Sequence, residues 1–260
     1  SMYQDLSPET GEFFKKMIEN NLMDLVNRKG KAGGGYCTSF PKYEQPFIFA
    51  NFNGTAHDIT VLTHEAGHAF QAYQSRKLPL MEYLWPTMEA CEIHSMSMEF
   101  LTWDWMHLFF KEDTEKFLFK HIAGSLAFLP YGALVDHFQH WVYENPNATA
   151  KERKSKWLEL EKIYQPGKNY DDLDFLKNGG FWQKQAHIYE MPFYYIDYTL
   201  AQVCAFQFWI RMQEDKESAW QDYLNLCKAG GSMSFLDLVK LANIKSPFDP
   251  KVFEEVANKI

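Results

Sequence analysis

The sequence has only four cysteines, Cys37, Cys91, Cys204 and Cys227, and no C-x-x-C pair. That argues against a disulfide framework or a cysteine-based metal site and fits reduced core thiols. No stretch approaches ~18 consecutive apolar residues, and the N-terminus has neither a charged n-region nor an apolar h-region, so neither a membrane span nor a signal peptide is expected. Lys and Arg total 26 against 34 Asp and Glu, a formal charge of -8, and no basic run is interleaved with aromatics. A nucleic-acid partner is therefore disfavoured. The lack of a span and of a signal peptide predicts a cytoplasmic protein with no membrane partner, and the lack of internal repeats and low-complexity linkers predicts a single domain over residues 1–260. The opening Ser1-Met2 reads as a remnant before an internal start, so a longer parent protein is expected.

What is present is a chain with 46% hydrophobic residues, enough for a sizeable core. Ser7-Pro8 reads as a helix start, and the periodicity predicts one helix over 13–26, stopping near Gly30. The basic, glycine-rich stretch 28–35 lacks the G-K-[ST] ending of a P-loop and reads as a flexible connection. Residues 36–40 and 46–52 are short, aromatic and partly alternating, so a two-stranded hairpin is expected, whose edge could take an extended peptide or be purely structural. The rest is helical: 58–74, a second long helix opened by Pro86 and running to Trp103, and 114–143 interrupted at Pro130. Further helices are expected from a capping box at Thr149-Ala150-Lys151-Glu152, at 181–190, 192–212 and 218–228, and in two shorter pieces at the end. No parallel-sheet rhythm occurs, and the fold class expected is mainly α with a small β-hairpin.

Within 58–74 stands Val61-Leu62-Thr63-His64-Glu65-Ala66-Gly67-His68-Ala69-Phe70. Residues four apart share a helix face, so His64 and His68 can present two imidazoles to one metal ion, with Glu65 to one side where its carboxylate could take a proton from a water on that ion. Random placement would give H-E-x-x-H in roughly two or three per cent of chains of this composition, so the pattern needs support. A catalytic zinc ion takes a third protein ligand, and Glu92, on the next helix, is the choice. Glu89, one turn earlier, is an alternative ligand or a hydrogen-bond partner for a ligating His. Glu89, Glu92 and Glu99 are interleaved with Met88, Cys91, Met96 and Met98, and buried acids need a cation or protons to offset their charge. Peptide hydrolysis also needs donors for the developing oxyanion. His187 and the tyrosines of 187–198 are candidates for that role, although the aromatic stripe taken alone reads first as core packing.

The chain resembles the C-terminal catalytic half of oligoendopeptidase F, in the thimet-type oligopeptidase family. The resemblance lies in Arg28-Lys29-Gly30-Lys31-Ala32-Gly33-Gly34-Gly35-Tyr36-Cys37-Thr38, Phe49-Ala50-Asn51-Phe52, His64 to Phe70, Pro86 to Phe100 and His187 to Gln202. It implies a zincin-like helical catalytic domain with an edge strand beside the H-E-x-x-H helix. It further implies one zinc ion on His64, His68 and Glu92, Glu65 as general base, and His187, Tyr195 and Tyr198 as donors to substrate, with Tyr194 a possible substitute. The activity implied is cleavage of internal bonds in short unstructured peptides. Members of the family are about twice this long, so an absent N-terminal half is also implied, and with it a second outcome, a metal-binding but inactive fragment. A third reading, apart from the resemblance, is a helical interaction protein whose His pair is incidental core.

Overall fold

A computed structural model of the chain describes residues 2–260. In order the elements are α1 Met2–Leu6, α2 Pro8–Glu19, β1 Met23–Val26, β2 Tyr36–Phe40, β3 Gln45–Phe52, α3 Ala56–Ser75, α4 Met88–Leu101 and α5 His107–Phe110. There follow α6 Thr114–Glu144, α7 Ala150–Tyr164, α8 Asp174–Lys177, α9 His187–Glu190, α10 Tyr195–Glu214, α11 Lys216–Ala229, α12 Phe235–Leu241 and α13 Pro250–Ala257. The chain divides into two compact units, one comprising residues up to Lys120 with Leu200–Ile260, the other His121–Thr199.

The fold is mainly α with a small sheet, as the sequence predicts, and the differences have local causes. Ser7 caps α2, its hydroxyl accepting from Thr10 N at 3.1 Å, but the helix stops at Glu19 rather than running on to Val26. Asn21 takes a left-handed backbone, φ 52°, which asparagine tolerates. Leu22 then bonds back to Met17 O, and Met23–Val26 becomes a strand. The sheet order is β1-β3-β2, with β1 parallel and β2 antiparallel to β3, so the expected hairpin is present with a third strand added and β2 at an edge. The 28–35 connection is pinned, not loose. Lys31 Nζ donates to Asp24 O and Val26 O at 3.0 and 3.1 Å, and Asn51 Nδ2 donates to Ala32 O and Gly34 O at 2.9 and 2.8 Å.

In the unit of His121–Thr199, α6 passes through Pro130 without a break. One lost backbone bond is offset there by the packing of Leu134, Val135 and Phe138 against Trp157, Leu160 and Trp182. The expected 181–190 helix is split into a 3-10 turn at Phe181–Lys184 and α9, with Gln185 extended between them. The run His107–Glu144 is long and apolar enough to cross a membrane by length and composition, with mean hydropathy 1.3 over its most apolar window, 22% of it buried. Its apolar residues are interrupted by polar ones, and core helices share the same length and composition.

In the first unit, α3 lies against β3, α4 and α11. Ala66, Ala69 and Phe70 are fully buried on it, with Ile48 of β3, Ile93 of α4 and Tyr223 of α11 in the same cluster. The approach of α3 to α4 is closest at Gly67. A Cβ there would lie 2.6 Å from His94 O, 2.6 Å from Ser95 Cα and 2.9 Å from Met98 Cβ, all of them part of α4. Alanine is favoured over glycine in a helix by about 1 kcal/mol. Gly67→Ala is nevertheless expected to destabilise the protein by roughly 1–3 kcal/mol, because the two helices must part. Chemical denaturation measures this, and a midpoint equal to or above that of the wild type would contradict it.

Candidate metal centre

Helix α3 starts with a capping box. Thr55 and Asp58 bond reciprocally, and the Asp58 carboxylate accepts from Asn53 N, Gly54 N and Thr55 N at 3.0, 2.7 and 3.2 Å. That fixes the helix start, and with it the face on which His64 and His68 fall two and three turns later. Their rings lie 5.1 Å apart and nearly perpendicular, at 82°.

Both imidazoles meet one oxygen from α4. His64 Nε2 and His68 Nε2 are each 3.2 Å from Glu92 Oε2, and the three ligand atoms lie within 4.8 Å of one another. Glu92 is buried, and its Oε2 also accepts from the buried Ser95 hydroxyl at 2.8 Å. The far nitrogens are held as well: His64 Nδ1 is 2.7 Å from Glu99 Oε1, and His68 Nδ1 is 3.6 Å from Cys91 Sγ. Sequence reasoning offered Glu89 as the acid beside a ligating His; the residue found there is Glu99, seven residues after Glu92 and thus on the same face of α4. That spacing of two turns puts Glu99 on the ligand's side of α4, but which histidine it meets depends on how the two helices pair.

Glu65 is 6% exposed, and its Oε2 has no hydrogen-bond partner. A buried carboxylate oxygen without a donor calls for a proton, a water or a cation. The cavity it borders, about 310 Å³, is lined by Gly35, His57, Thr60, Val61, His64, Glu65 and Glu99. Gly35 leads into β2, and a Cβ on it would stand 3.4 Å from Glu65 Oε1 and 3.2 Å from Val61 Cγ1. The start of the edge strand therefore lies against the Glu65 carboxylate.

His187, Tyr195 and Tyr198 lie in the other unit and are gathered there. The His187 ring is 5.0 Å from Tyr195 and 5.7 Å from Tyr198, whose rings are 5.6 Å apart. Gln185 Nε2 lies 2.7 Å from His187 Nδ1, and Tyr194 packs 5.0 Å from Tyr198. Burial pushes the Tyr195 hydroxyl up to about 12, so it remains a donor at neutral pH.

Electrostatics favour a cation at the centre. Burial pushes His64 down, but the carboxylates of Glu92 and Glu99 outweigh it and bring the imidazole up to about 10. His68, opposed by burial in the same way, is raised well above its usual value by Glu92 and Cys91. Glu92, despite burial, is held well below the carboxylate range by His68 and His64, whereas burial raises Glu65. Without metal the raised His64 imidazole favours a second proton at neutral pH and His68 is shifted in the same direction, and a metal ligand must give such a proton up. Zinc uptake near pH 7 is therefore expected to release protons, with apparent affinity climbing as pH rises toward the His64 value. Calorimetry in buffers of different ionisation enthalpy measures this, and a buffer-independent heat would contradict it.

The sequence model of Peptidase family M3 matches residues 9–257. Over 264 residues the chain is 24% identical to Oligopeptidase PepF of Bacillus subtilis (strain 168), covering 96% of this chain and 38% of that protein. Over 250 residues it is 25% identical to an Oligoendopeptidase F homolog of Borreliella burgdorferi, covering 90% and 41%. A solved PZ peptidase A with an inhibitor is 63% identical and superposes with a TM-score of 0.96, over 99% of this chain and 46% of that one. The chain thus spans about two fifths of the length of these curated relatives. The match runs across both units and through every residue of the His64, His68 and Glu92 cluster, and the chain belongs to peptidase family M3.

Proposed function

We propose that the chain is the catalytic part of a zinc-dependent endopeptidase that cleaves internal bonds of short, unstructured oligopeptides. The observation that carries this reading is the meeting of two imidazole Nε2 atoms on one buried Glu92 oxygen, beside a Glu65 oxygen with no partner. Two nitrogens and one carboxylate oxygen make a donor set that suits a catalytic zinc ion and leaves a position open. His64, His68 and Glu92 would hold the ion; when bound, it supplies Lewis acidity, polarising a carbonyl and acidifying a water.

The chain's own residues supply the rest. Glu65, its carboxyl raised by burial toward greater basicity, is suited to take a proton from the attacking water through Oε2 and pass it to the leaving amine. The edge strand β2 begins against Glu65, so a peptide added along that edge would be read by its backbone, with little demand on side chains. His187, Tyr195 and Tyr198 are proposed as hydrogen-bond donors to substrate, Tyr198 first among the tyrosines, on the strength of their clustering and their donor chemistry. Short peptides as substrates accord with the names of the oligopeptidase relatives.

Glu65→Gln tests the reading. The variant is expected to lose roughly 10²–10⁴-fold in turnover of an end-blocked, quenched fluorescent peptide, while elemental analysis still finds zinc at the wild-type level. Products of the wild type, weighed by mass spectrometry, should come from an internal bond, and a chelator should stop their formation. Retained turnover in Glu65→Gln would overturn the assignment.

A further inference from the structure

The two proposed imidazole ligands are supported from behind by different chemistry. His64 Nδ1 faces the Glu99 carboxylate at 2.7 Å, the usual partner of a metal-ligating histidine. His68 Nδ1 faces the Cys91 thiol at 3.6 Å, within range for a hydrogen bond to sulfur. Cys91 is only partly buried, yet it directly precedes Glu92 on α4. We propose that Cys91 is a positioning residue of the metal centre, its sulfur fixing the ring of His68 through Nδ1 as Glu99 fixes His64. This rests on the reading of His64, His68 and Glu92 as the metal ligands.

The geometry gives the thiol this task. A histidine that ligates through Nε2 carries its hydrogen on Nδ1 and must donate it, and the sulfur is the acceptor given at that atom. His68 is itself buried, so a ring turned away from Cys91 would give up the Nδ1 contact seen there and the cost of an unmade buried hydrogen bond would follow. Because Cys91 and Glu92 are neighbours, one turn of α4 supplies both a ligand and the support of another ligand, and a shift of that turn moves both together. The sulfur is a weak acceptor, so His68 receives orientation but little of the added basicity that a carboxylate gives His64.

The test reads metal binding, not turnover. Zinc affinity is measured by competition with a chromophoric chelator, and the visible spectrum of the cobalt-substituted protein is recorded, for wild type, Cys91→Ala and Cys91→Ser, with thermal melting to confirm folding. Cys91→Ala is expected to bind zinc about 10–100-fold more weakly and to shift the cobalt bands. Cys91→Ser keeps an acceptor in place and should recover most of that affinity. If Cys91→Ala binds within about twofold of wild type, or if both variants lose affinity equally with an unshifted cobalt spectrum, the sulfur only packs and the inference fails. A wild-type chain that takes up no zinc would instead bring down the metal-centre reading, and this inference with it. Wild-type binding with an indifferent Cys91→Ala overturns this inference alone.

Discussion

The backbone of α3 meets the backbone of α4 at Gly67, and the site is arranged around that contact. Helices whose side chains interleave usually keep their axes about 8–10 Å apart; a residue with no side chain allows them closer, and here a single added carbon would fall inside the α4 backbone. His68 directly follows Gly67, and Glu92 precedes the facing His94 and Ser95 by less than one turn. The distance from imidazole to carboxylate is therefore set by helix separation before any rotamer is chosen. From another element, the buried Tyr223 of α11 donates to His94 O at 2.8 Å, which fixes α4 at the same level. Tyr223 also stacks on Phe70 of α3, with centroids 6.4 Å apart, so one side chain ties both helices.

The H-E-x-x-H helix, its partner and the edge strand were legible because each rests on a local rule: residues four apart share a face, proline opens a helix, and aromatic alternation marks a strand. The acid behind His64 was not, because it depends on register between two helices. Here His64 meets Glu99, Gly67 meets Ser95, and His68 meets Glu92. The numbers fall on one helix as they rise on the other, so the helices are antiparallel, and Glu89 lies beyond His68, away from His64. Spacing along one helix cannot supply that offset. The strand β1 was missed for another reason. Its apolar residues continue the periodicity of α2, and only the left-handed turn at Asn21 redirects them into pairing with β3. The glycine-rich stretch misled too, since what pins it lies outside it: Asn51 of β3 holds Ala32 and Gly34, and Lys31 reaches the carbonyls of β1.

The charge on the site follows from the same packing. Glu92 is buried and Glu99 nearly so, and two carboxylates at that depth are tolerable only against matching positive charge. In the chain without an ion the two imidazoles provide it, which is why both are raised while Glu92 is depressed. Glu65, left over from this pairing, responds to burial by moving toward its neutral form. Were one divalent cation to replace two imidazolium protons, the total charge carried by His64, His68, Glu92 and Glu99 would be unchanged. Each imidazole would then offer the Nε2 lone pair and keep its remaining hydrogen on Nδ1, facing Glu99 or Cys91. A cluster neutral in both states avoids the cost of an uncompensated buried charge on either side of the exchange. The same outer partners, Glu99 at His64 and Cys91 at His68, would therefore suit either state, facing an imidazolium without the ion and an Nδ1–H tautomer with it.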